Sequence, residues 1–241
     1  MEIVKCLIAG LKVTVGVRFD LLRGRIQKYC FDFSGEPDIA VIPGEEKFLE
    51  VCGYNPNLAP ETVEYMVTGS IFYYKLLKFG GFMLHSSTIA KDGKAYIFSA
   101  DSGTGKSTHT SLWQKYLSDV TMINDDKPAI KLDNGVFYAV GTPWSGKHDQ
   151  NADIAVPIGG FVVLSRGKEN KIRPAKPFET VPFIMRQTVF PAKPENTELL
   201  SELLDKFLTT VPAFHLECDI SEQAVQTSYE ALTGKKYIKG N

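Results

Sequence analysis

The sequence predicts an α/β protein whose central β-sheet is mixed, with parallel and antiparallel strand pairs. An apolar run at residues 96–99 enters a glycine-containing loop, and a helical pattern follows over residues 106–117. Two short turns, Asp-Gly at 92–93 and Asn-Gly at 134–135, each lie between strand-like segments and favour tight hairpins. Doubly wound nucleotide-binding folds separate parallel strands by helices, so hairpins on both sides of the loop favour a mixed sheet instead.

The remaining elements follow from periodicity and turn signals. Residues 1–57 predict a small antiparallel β-rich unit, and residues 58–241 predict the main core. The predicted strands of the N-terminal unit are residues 13–17, 26–33 and 48–51. The predicted elements of the core are a helix at 61–78, strands at 83–91, 94–99, 120–126, 129–133, 136–140, 156–164 and 213–218, and helices at 178–189, 196–211 and 221–232.

Composition limits the class of protein. The 241 residues are 44% hydrophobic and 23% charged, with a net charge of −1, which is enough for one large domain and its core. No Lys/Arg stripe occurs, so neither nucleic acid nor an anionic membrane is an expected partner. The four cysteines lack metal-ligand spacing and no leader-like segment or long apolar span occurs, so we expect reduced thiols in a cytoplasmic protein.

The loop after the strand at residues 96–99 has the composition of a phosphate-binding loop. Glycine tolerates positive φ, so successive backbone N–H groups can curl around phosphate oxygens, and the following helix adds its N-terminal N–H groups and dipole. The first motif position is Ala100 instead of glycine. The predicted nucleotide-binding residues are Ser102, Gly103, Thr104, Gly105, Lys106, Ser107 and Thr108, with Lys106 on the phosphates and Ser107 on Mg²⁺.

A pair of carboxylates follows the next predicted strand. Asp125 and Asp126 end the apolar run at residues 120–123, at the point where a nucleotide site needs acids for its metal. One acid could hold Mg²⁺ while its neighbour accepts a hydroxyl proton. A solvated turn is the alternative for an Asp-Asp pair considered alone.

At these residues the chain resembles a known family. The segment 102–107 with Asp125 and Asp126 resembles the mixed-sheet P-loop core shared by HPr kinase/phosphorylase and phosphoenolpyruvate carboxykinase. His85 adds to the resemblance, because HPr kinases carry a histidine on a strand just upstream of the loop. The runs 98–113, 123–126 and 141–147 are similar to short bacterial HPr-kinase-like proteins of mostly unassigned substrate. The resemblance covers about residues 80–241.

The hairpin at residues 83–99 also bears on His85. Antiparallel pairing brings the start of one strand beside the end of its partner, so His85 is expected near the phosphate-binding loop. There it could orient an aspartate or the transferring phosphoryl group. A purely structural histidine is the alternative.

The segment 141–149 follows another predicted strand end, where ligands commonly bind in α/β proteins. It carries an exposed-looking Trp144 and Lys147, which we interpret as a possible substrate loop in which Lys147 offsets developing negative charge. The alternative is a tight connection in which Trp144 serves packing. Arg166, Arg173 and Arg186 are further candidates for phosphate or adenine contacts, although single arginines are more often surface residues.

Together these features predict an ATP- and Mg²⁺-dependent kinase that transfers the γ-phosphoryl group to a hydroxyl of a protein, a peptide or a small molecule. The predicted catalytic residues are Asp125, Asp126, His85 and Lys106, with Ser107 and Asp126 on the metal. The resemblance favours Asp125 as the base, while the residues alone leave the two aspartates interchangeable. Carboxykinase activity, phosphorylase activity and a nucleotide-binding module without turnover are the alternatives. The sequence leaves the oligomeric state open.

Overall fold

The computed structural model describes residues 1–191 and 193–239. Ala192, Gly240 and Asn241 of the predicted core lie outside these residues. The strands are β1 Glu2–Ile8, β2 Leu11–Val17, β3 Ile39–Val41, β4 Gly81–Met83, β5 Ser86–Lys91, β6 Lys94–Ser99, β7 Thr121–Asp126, β8 Ala129–Asp133, β9 Val136–Val140, β10 Ala155–Arg166, β11 Lys171–Pro174 and β12 Ala213–Cys218. The helices are α1 Asp20–Ile26, α2 Glu45–Tyr54, α3 Pro60–Leu76, α4 Lys106–Tyr116, α5 Pro177–Gln187, α6 Pro194–Thr210 and α7 Glu222–Thr233.

A mixed nine-stranded sheet forms the centre of the molecule, and the predicted α/β class with a mixed sheet is confirmed. Seven strands follow the order β4-β8-β9-β10-β6-β5-β7, while β12 pairs with β10 and β11 pairs with β12. Strand β10 is parallel to β6 and β12, whereas the other pairs of this sheet are antiparallel. Strand β11 was not predicted.

The two predicted hairpins are both present. Asp92 and Gly93 have φ values of 52° and 72°, as a two-residue turn between β5 and β6 requires. The same arrangement joins β8 to β9. The single strand predicted at residues 83–91 is wrong, because β4 pairs with β8 while β5 pairs with β6 and β7. The break between β4 and β5 falls at Leu84 and His85.

The N-terminal unit contains more helix than predicted. Strands β1 and β2 are antiparallel, but β3 pairs parallel to β2. The strands predicted at residues 26–33 and 48–51 are wrong, since the first falls at the end of α1 and a 3₁₀ turn, and the second lies inside α2. In α1 the buried residues Leu22 and Ile26 are four apart, which is helical spacing.

One apolar cluster joins the N-terminal unit to the main sheet. Val13, Val15 and Ile26 share it with Phe72 of α3 and with Trp144, all of them buried. The small sheet therefore packs directly on α3 and on the segment after β9. A domain boundary at residue 57 stays a prediction.

Both faces of the large sheet are covered by helices. Ile97 of β6 belongs to the cluster that contains Phe207 of α6, whereas its neighbour Phe98 packs with Trp113 of α4 and Tyr229 of α7. Successive residues of a strand point to opposite faces, so β6 is buried on both sides. Within residues 1–191 and 193–239, no helix has the length and apolar character needed to cross a membrane.

Candidate functional site

Three polar segments meet at one edge of the large sheet. Strand β5 lies between β6 and β7 and is antiparallel to both, so β6 and β7 run in the same direction and end at the same edge. Ser87 pairs with Phe98 on one side and with Asp125 on the other. His85 lies just before β5, and its carbonyl oxygen accepts a hydrogen bond of 2.7 Å from the Ser99 hydroxyl. The ends of β6 and β7 and the start of β5 therefore surround one site.

A loop connects the end of β6 to the start of α4. Gly103 and Gly105 have φ values of 76° and 124°, which favour glycine, and Thr104 N–H donates to Asp101 O at 3.2 Å. Ala100 is buried at the loop entrance. Most of the remaining loop surface is open to solvent, because Ser102, Gly103, Ser107 and Thr108 are exposed. The backbone N–H groups at the start of α4 are therefore accessible to an anion.

Lys106 spans the loop from its position at the start of α4. Its ammonium group donates to Ala100 O at 3.0 Å, and the side chain is buried. Burial lowers the pKa of Lys106, while the carboxylates of Asp126, Asp125 and Asp101 raise it in that order. The charge of Lys106 is therefore favoured by the twin aspartates of β7 and disfavoured by burial.

The carboxylate of Asp126 contacts two side chains, the imidazole of His85 and the ammonium group of Lys127. His85 Nε2 lies 3.3 Å from Asp126 Oδ1, and the Lys127 ammonium donates to Asp126 Oδ2. Lys127 N–H in turn donates to Asn124 Oδ1 at 2.8 Å, which fixes the chain directly after the aspartates. Among the described residues, no group hydrogen-bonds the half-buried carboxylate of Asp125, although Asp125 N–H donates to Gln150 O at 2.9 Å.

His85 also contacts a residue that was not predicted. Its Nδ1 lies 2.9 Å from Gln187 Oε1 at the end of α5, and Gln187 Nε2 donates to Asp101 Oδ1 at 3.5 Å. Burial lowers the pKa of His85, the Lys106 ammonium lowers it further, and the Asp126 carboxylate opposes both effects. Together these effects leave the pKa of His85 below its usual value.

The expectation that Trp144 is exposed is wrong. Its side chain is 1% exposed, stacks on Phe72 with ring centroids 4.9 Å apart, and donates from Nε1 to Thr68 Oγ1 at 3.3 Å. A Cβ on Gly69 would lie 2.9 Å from Trp144 Cδ1, so α3 accepts the indole because it has no side chain there. Trp144 therefore packs the segment after β9 onto α3, whereas Lys147 is exposed.

Arg166 contacts the loop directly. It lies at the end of β10, and its guanidinium donates to Gly103 O at 2.6 Å and to Thr104 O at 3.1 Å. Because β10 is parallel to β6, both strands end at the same edge of the sheet. The strand order is therefore enough to indicate that Arg166 lies near the loop. Of the other two candidate arginines, Arg173 pairs with Glu179 at 2.9 Å and Arg186 lies over the Phe183 ring.

A cavity of about 380 Å³ adjoins the loop between α4 and the ends of β10 and β12. Its walls combine loop backbone with apolar side chains and a few polar groups. The lining residues are Gly103, Thr104, Gly105, Thr108, His109, Leu112, Leu164, Arg166, Gly167, Cys218, Asp219 and Ile220. Burial raises the pKa of the Cys218 thiol to about 11 and lowers that of His109 to about 4, so both are neutral at pH 7.

Metal-binding capacity depends on oxygen donors at the shared edge. Within the described residues, no group of three or more His, Cys, Asp or Glu side chains is arranged to hold a metal by itself. The donors beside the loop are the exposed Ser107 hydroxyl and the two aspartate carboxylates, which are hard oxygen ligands. Mg²⁺ commonly takes one or two such ligands and completes its shell with phosphate oxygens and water, so this donor set fits Mg²⁺ with a bound phosphate chain.

Comparison with family models gives no match, and comparison with curated proteins gives none either. Among solved structures, the chain is similar to the HPr(Ser) kinase/phosphatase from Coxiella burnetii. The sequence identity is 11%, the match covers 63% of this chain and 93% of that chain, and the TM-score is 0.34.

Proposed function

We propose that this protein is an ATP- and Mg²⁺-dependent kinase that transfers the γ-phosphoryl group to a hydroxyl. One observation carries the proposal: the glycine loop at the end of β6, the twin aspartates at the end of β7 and His85 all lie at the same sheet edge. Phosphoryl transfer depends on positioning and charge stabilisation, and these residues combine an anion-binding loop with carboxylates and a cation.

The phosphate chain of ATP would lie over residues 102–108. The backbone N–H groups of the loop and of the first turn of α4 would donate to its oxygens, and Lys106 would leave Ala100 O to reach the terminal phosphates. The adjoining cavity of 380 Å³ would take the nucleoside, with the base between the apolar side chains of Leu112, Leu164 and Ile220.

Ser107 and Asp126 would hold Mg²⁺. When bound, the ion neutralises negative charge on the phosphate oxygens. His85 and Lys127 contact the two carboxylate oxygens of Asp126 and orient this side chain.

Asp125 would accept the proton of the acceptor hydroxyl. The contacts support this division of roles, because both oxygens of Asp126 have partners while the Asp125 carboxylate has none among the described residues. A base needs an available oxygen within reach of the proton that it removes. Lys147, exposed on the neighbouring segment, would offset charge on the transferring group.

The test separates nucleotide binding from turnover. Calorimetry with ATP and Mg²⁺ should give saturable binding, and ATP consumption should rise with serine peptides or small hydroxyl compounds. Asp125→Asn should lower turnover by about 10²- to 10⁴-fold while ATP binding persists. Asp133→Asn, an exposed change at the end of β8, is the matched control. ATP binding without consumption for every acceptor tried would contradict the kinase proposal and favour a binding module.

A further inference from the structure

The segment 145–151, which follows β9, is hydrogen-bonded by side chains from the N-terminal unit and from α3. Arg25 of α1 donates to Gly146 O at 2.5 Å and to Lys147 O at 3.5 Å. Tyr65 of α3 accepts a hydrogen bond of 3.1 Å from Gly146 N–H, and the Arg25 guanidinium lies 4.8 Å from the centroid of the Tyr65 ring. Both polar groups of the Gly146 backbone are thus bound by side chains that also contact each other.

Gly146 lies directly against the twin aspartates. A Cβ at this position would be 3.0 Å from Asp125 O and 3.0 Å from Asp126 Cβ, and the φ of 76° also favours glycine. A side chain at this position would therefore collide with the aspartates. The hydrogen bonds from Arg25 and to Tyr65 hold the Gly146 backbone in this place.

A second group of hydrogen bonds joins the same two regions. Tyr29 donates to Asn151 Oδ1 at 2.6 Å, and Lys28 donates to Asn151 O at 3.2 Å. Asn151 donates to Ser145 Oγ at 2.7 Å and forms a bridge with Asn124 of β7. The turn after α1 therefore reaches the strand that carries the aspartates through a single intervening residue.

We propose that Arg25 is a positioning residue that fixes the segment 145–151 against Asp125 and Asp126, so that the N-terminal unit forms part of the phosphotransfer site. This inference rests on the proposed kinase function. The Arg25 side chain is only 12% exposed, and its guanidinium fork serves two carbonyl oxygens and the Asp149 carboxylate at 3.6 Å. The phosphate-binding side of the site has its own support, from Lys106 and Arg166.

Because Arg25 supports the segment 145–151 and not the phosphate-binding groups, its loss should affect turnover and nucleotide affinity differently. Loss of Arg25 should let the segment move relative to the aspartates and lower turnover by about 10- to 100-fold, as small misplacements of reacting groups do. Nucleotide affinity should stay within about twofold of the wild-type value, because the groups that bind the phosphates are unchanged. A general loss of structure would instead lower both quantities together.

The experiment compares Arg25→Met, Arg25→Lys and Tyr65→Phe with Arg23→Met as the matched control. Arg23 lies on the same helix but is partly exposed, and within residues 1–191 and 193–239 its ion-pair partners are Glu2 and Asp20. The probes are MgATP, whose hydrolysis to ADP and phosphate with water as acceptor measures turnover, and a non-hydrolysable ATP analogue, whose affinity is measured by calorimetry. Amide hydrogen exchange is followed at residues 145–151, 125–126 and 100–108.

Arg25→Met should lower the hydrolysis rate, preserve the affinity for the analogue and speed exchange at residues 145–151. Arg25→Lys should fall between Arg25→Met and the wild type, because an ammonium group lacks the fork. Tyr65→Phe, which keeps the ring and removes the oxygen that binds Gly146 N–H, provides the same test if Arg25→Met fails to fold. Unchanged turnover in both variants, or equal losses of turnover and affinity, would overturn the inference.

Failure of the proposed kinase reaction can be distinguished from failure of the proposed role of Arg25. A wild-type protein that binds the analogue but consumes no MgATP, with water or with any hydroxyl acceptor tried, would contradict the proposed reaction, and exchange would then decide the role of Arg25. Faster exchange at residues 145–151 and 125–126 in Arg25→Met, with unchanged exchange at 100–108, supports the positioning role. Unchanged exchange at all three segments overturns it.

Discussion

His85 Nε2 lies 3.3 Å from Asp126 Oδ1, and the opposite ring nitrogen lies 2.9 Å from Gln187 Oε1. The imidazole thereby links the end of α5 to the end of β7, two elements far apart in the chain. Through this contact His85 fixes the orientation of the Asp126 carboxylate.

We expect His85→Ala to raise the Mg²⁺ concentration that the reaction requires, with a smaller effect on the affinity for nucleotide. The Asp126 carboxylate would keep Lys127 but lose the group at Oδ1, and loss of such supporting partners costs about 10- to 100-fold in metal affinity or activity. The measurement is ATP consumption as a function of Mg²⁺ concentration. His148→Ala, at an exposed position, is the control. Identical Mg²⁺ curves for His85→Ala and wild type would exclude Asp126 as the oriented ligand.

Lys106→Met should weaken binding of ATP and lower turnover, with the larger effect on turnover. The ammonium group donates to Ala100 O at the loop entrance, and removal of one preorganised group that stabilises developing charge costs about 10²- to 10³-fold in rate. Calorimetry and ATP consumption measure the two effects. Lys115→Met, in the last turn of the same helix, should leave both unchanged. Wild-type turnover in Lys106→Met would show that the loop does not bind the reacting phosphate.

Local signals in the sequence were sufficient for the part of the site that lies on one hairpin. The Asp-Gly turn at 92–93 fixed the pairing of β5 with β6, and antiparallel pairing then predicted that His85 lies beside the loop. The two strands that pair with β5 also bring the loop and the twin aspartates to one edge. Short-range turn chemistry and strand direction account for this success.

Contacts between distant segments were not predictable from local pattern. Gln187 reaches His85 from a helix that begins about a hundred residues later, and Arg25 reaches Gly146 from the N-terminal unit. No spacing in a single sequence indicates such pairs. Trp144 was misjudged for the same reason, since its burial depends on the absence of a side chain at Gly69 of α3.

Substitution by alanine should change the free energy of unfolding in opposite directions at two helical glycines, Gly69 and Gly53. Gly69→Ala would bring a Cβ to 2.9 Å from Trp144 Cδ1, and overpacking of this kind costs about 1–3 kcal/mol, more than the gain in helix propensity. In Gly53→Ala in α2 the new Cβ meets no atom of the described part of the chain within 4 Å, and this change should stabilise the protein by about 0.5–1 kcal/mol. Urea denaturation measures both changes. Stabilisation by Gly69→Ala would contradict the packing of Trp144 against α3.

Stability should depend on pH through the buried imidazole of His109. This residue is 3% exposed, its Nε2 accepts a hydrogen bond of 3.2 Å from Trp113 Nε1, and burial lowers its pKa to about 4. Protonation would place a second donor opposite the indole N–H and a charge in the core. The folded protein therefore resists protonation at His109 where the unfolded chain, with an ordinary histidine pKa of about 6.5, accepts a proton.

The sign of the effect follows from proton uptake. Between about pH 6.5 and about pH 4 the unfolded chain binds more protons at this position, so the free energy of unfolding falls as the pH falls. At about 1.4 kcal/mol per pKa unit, the His109 contribution is about 3 kcal/mol over this range, and it is fully retained above about pH 7. Urea denaturation from pH 7 to pH 5 measures the slope before most carboxylates titrate. His109→Gln should reduce the slope of the free energy of unfolding against pH, and His148→Gln at an exposed position is the matched control. An equal slope in His109→Gln and wild type would mean that His109 is accessible to protons in the folded protein.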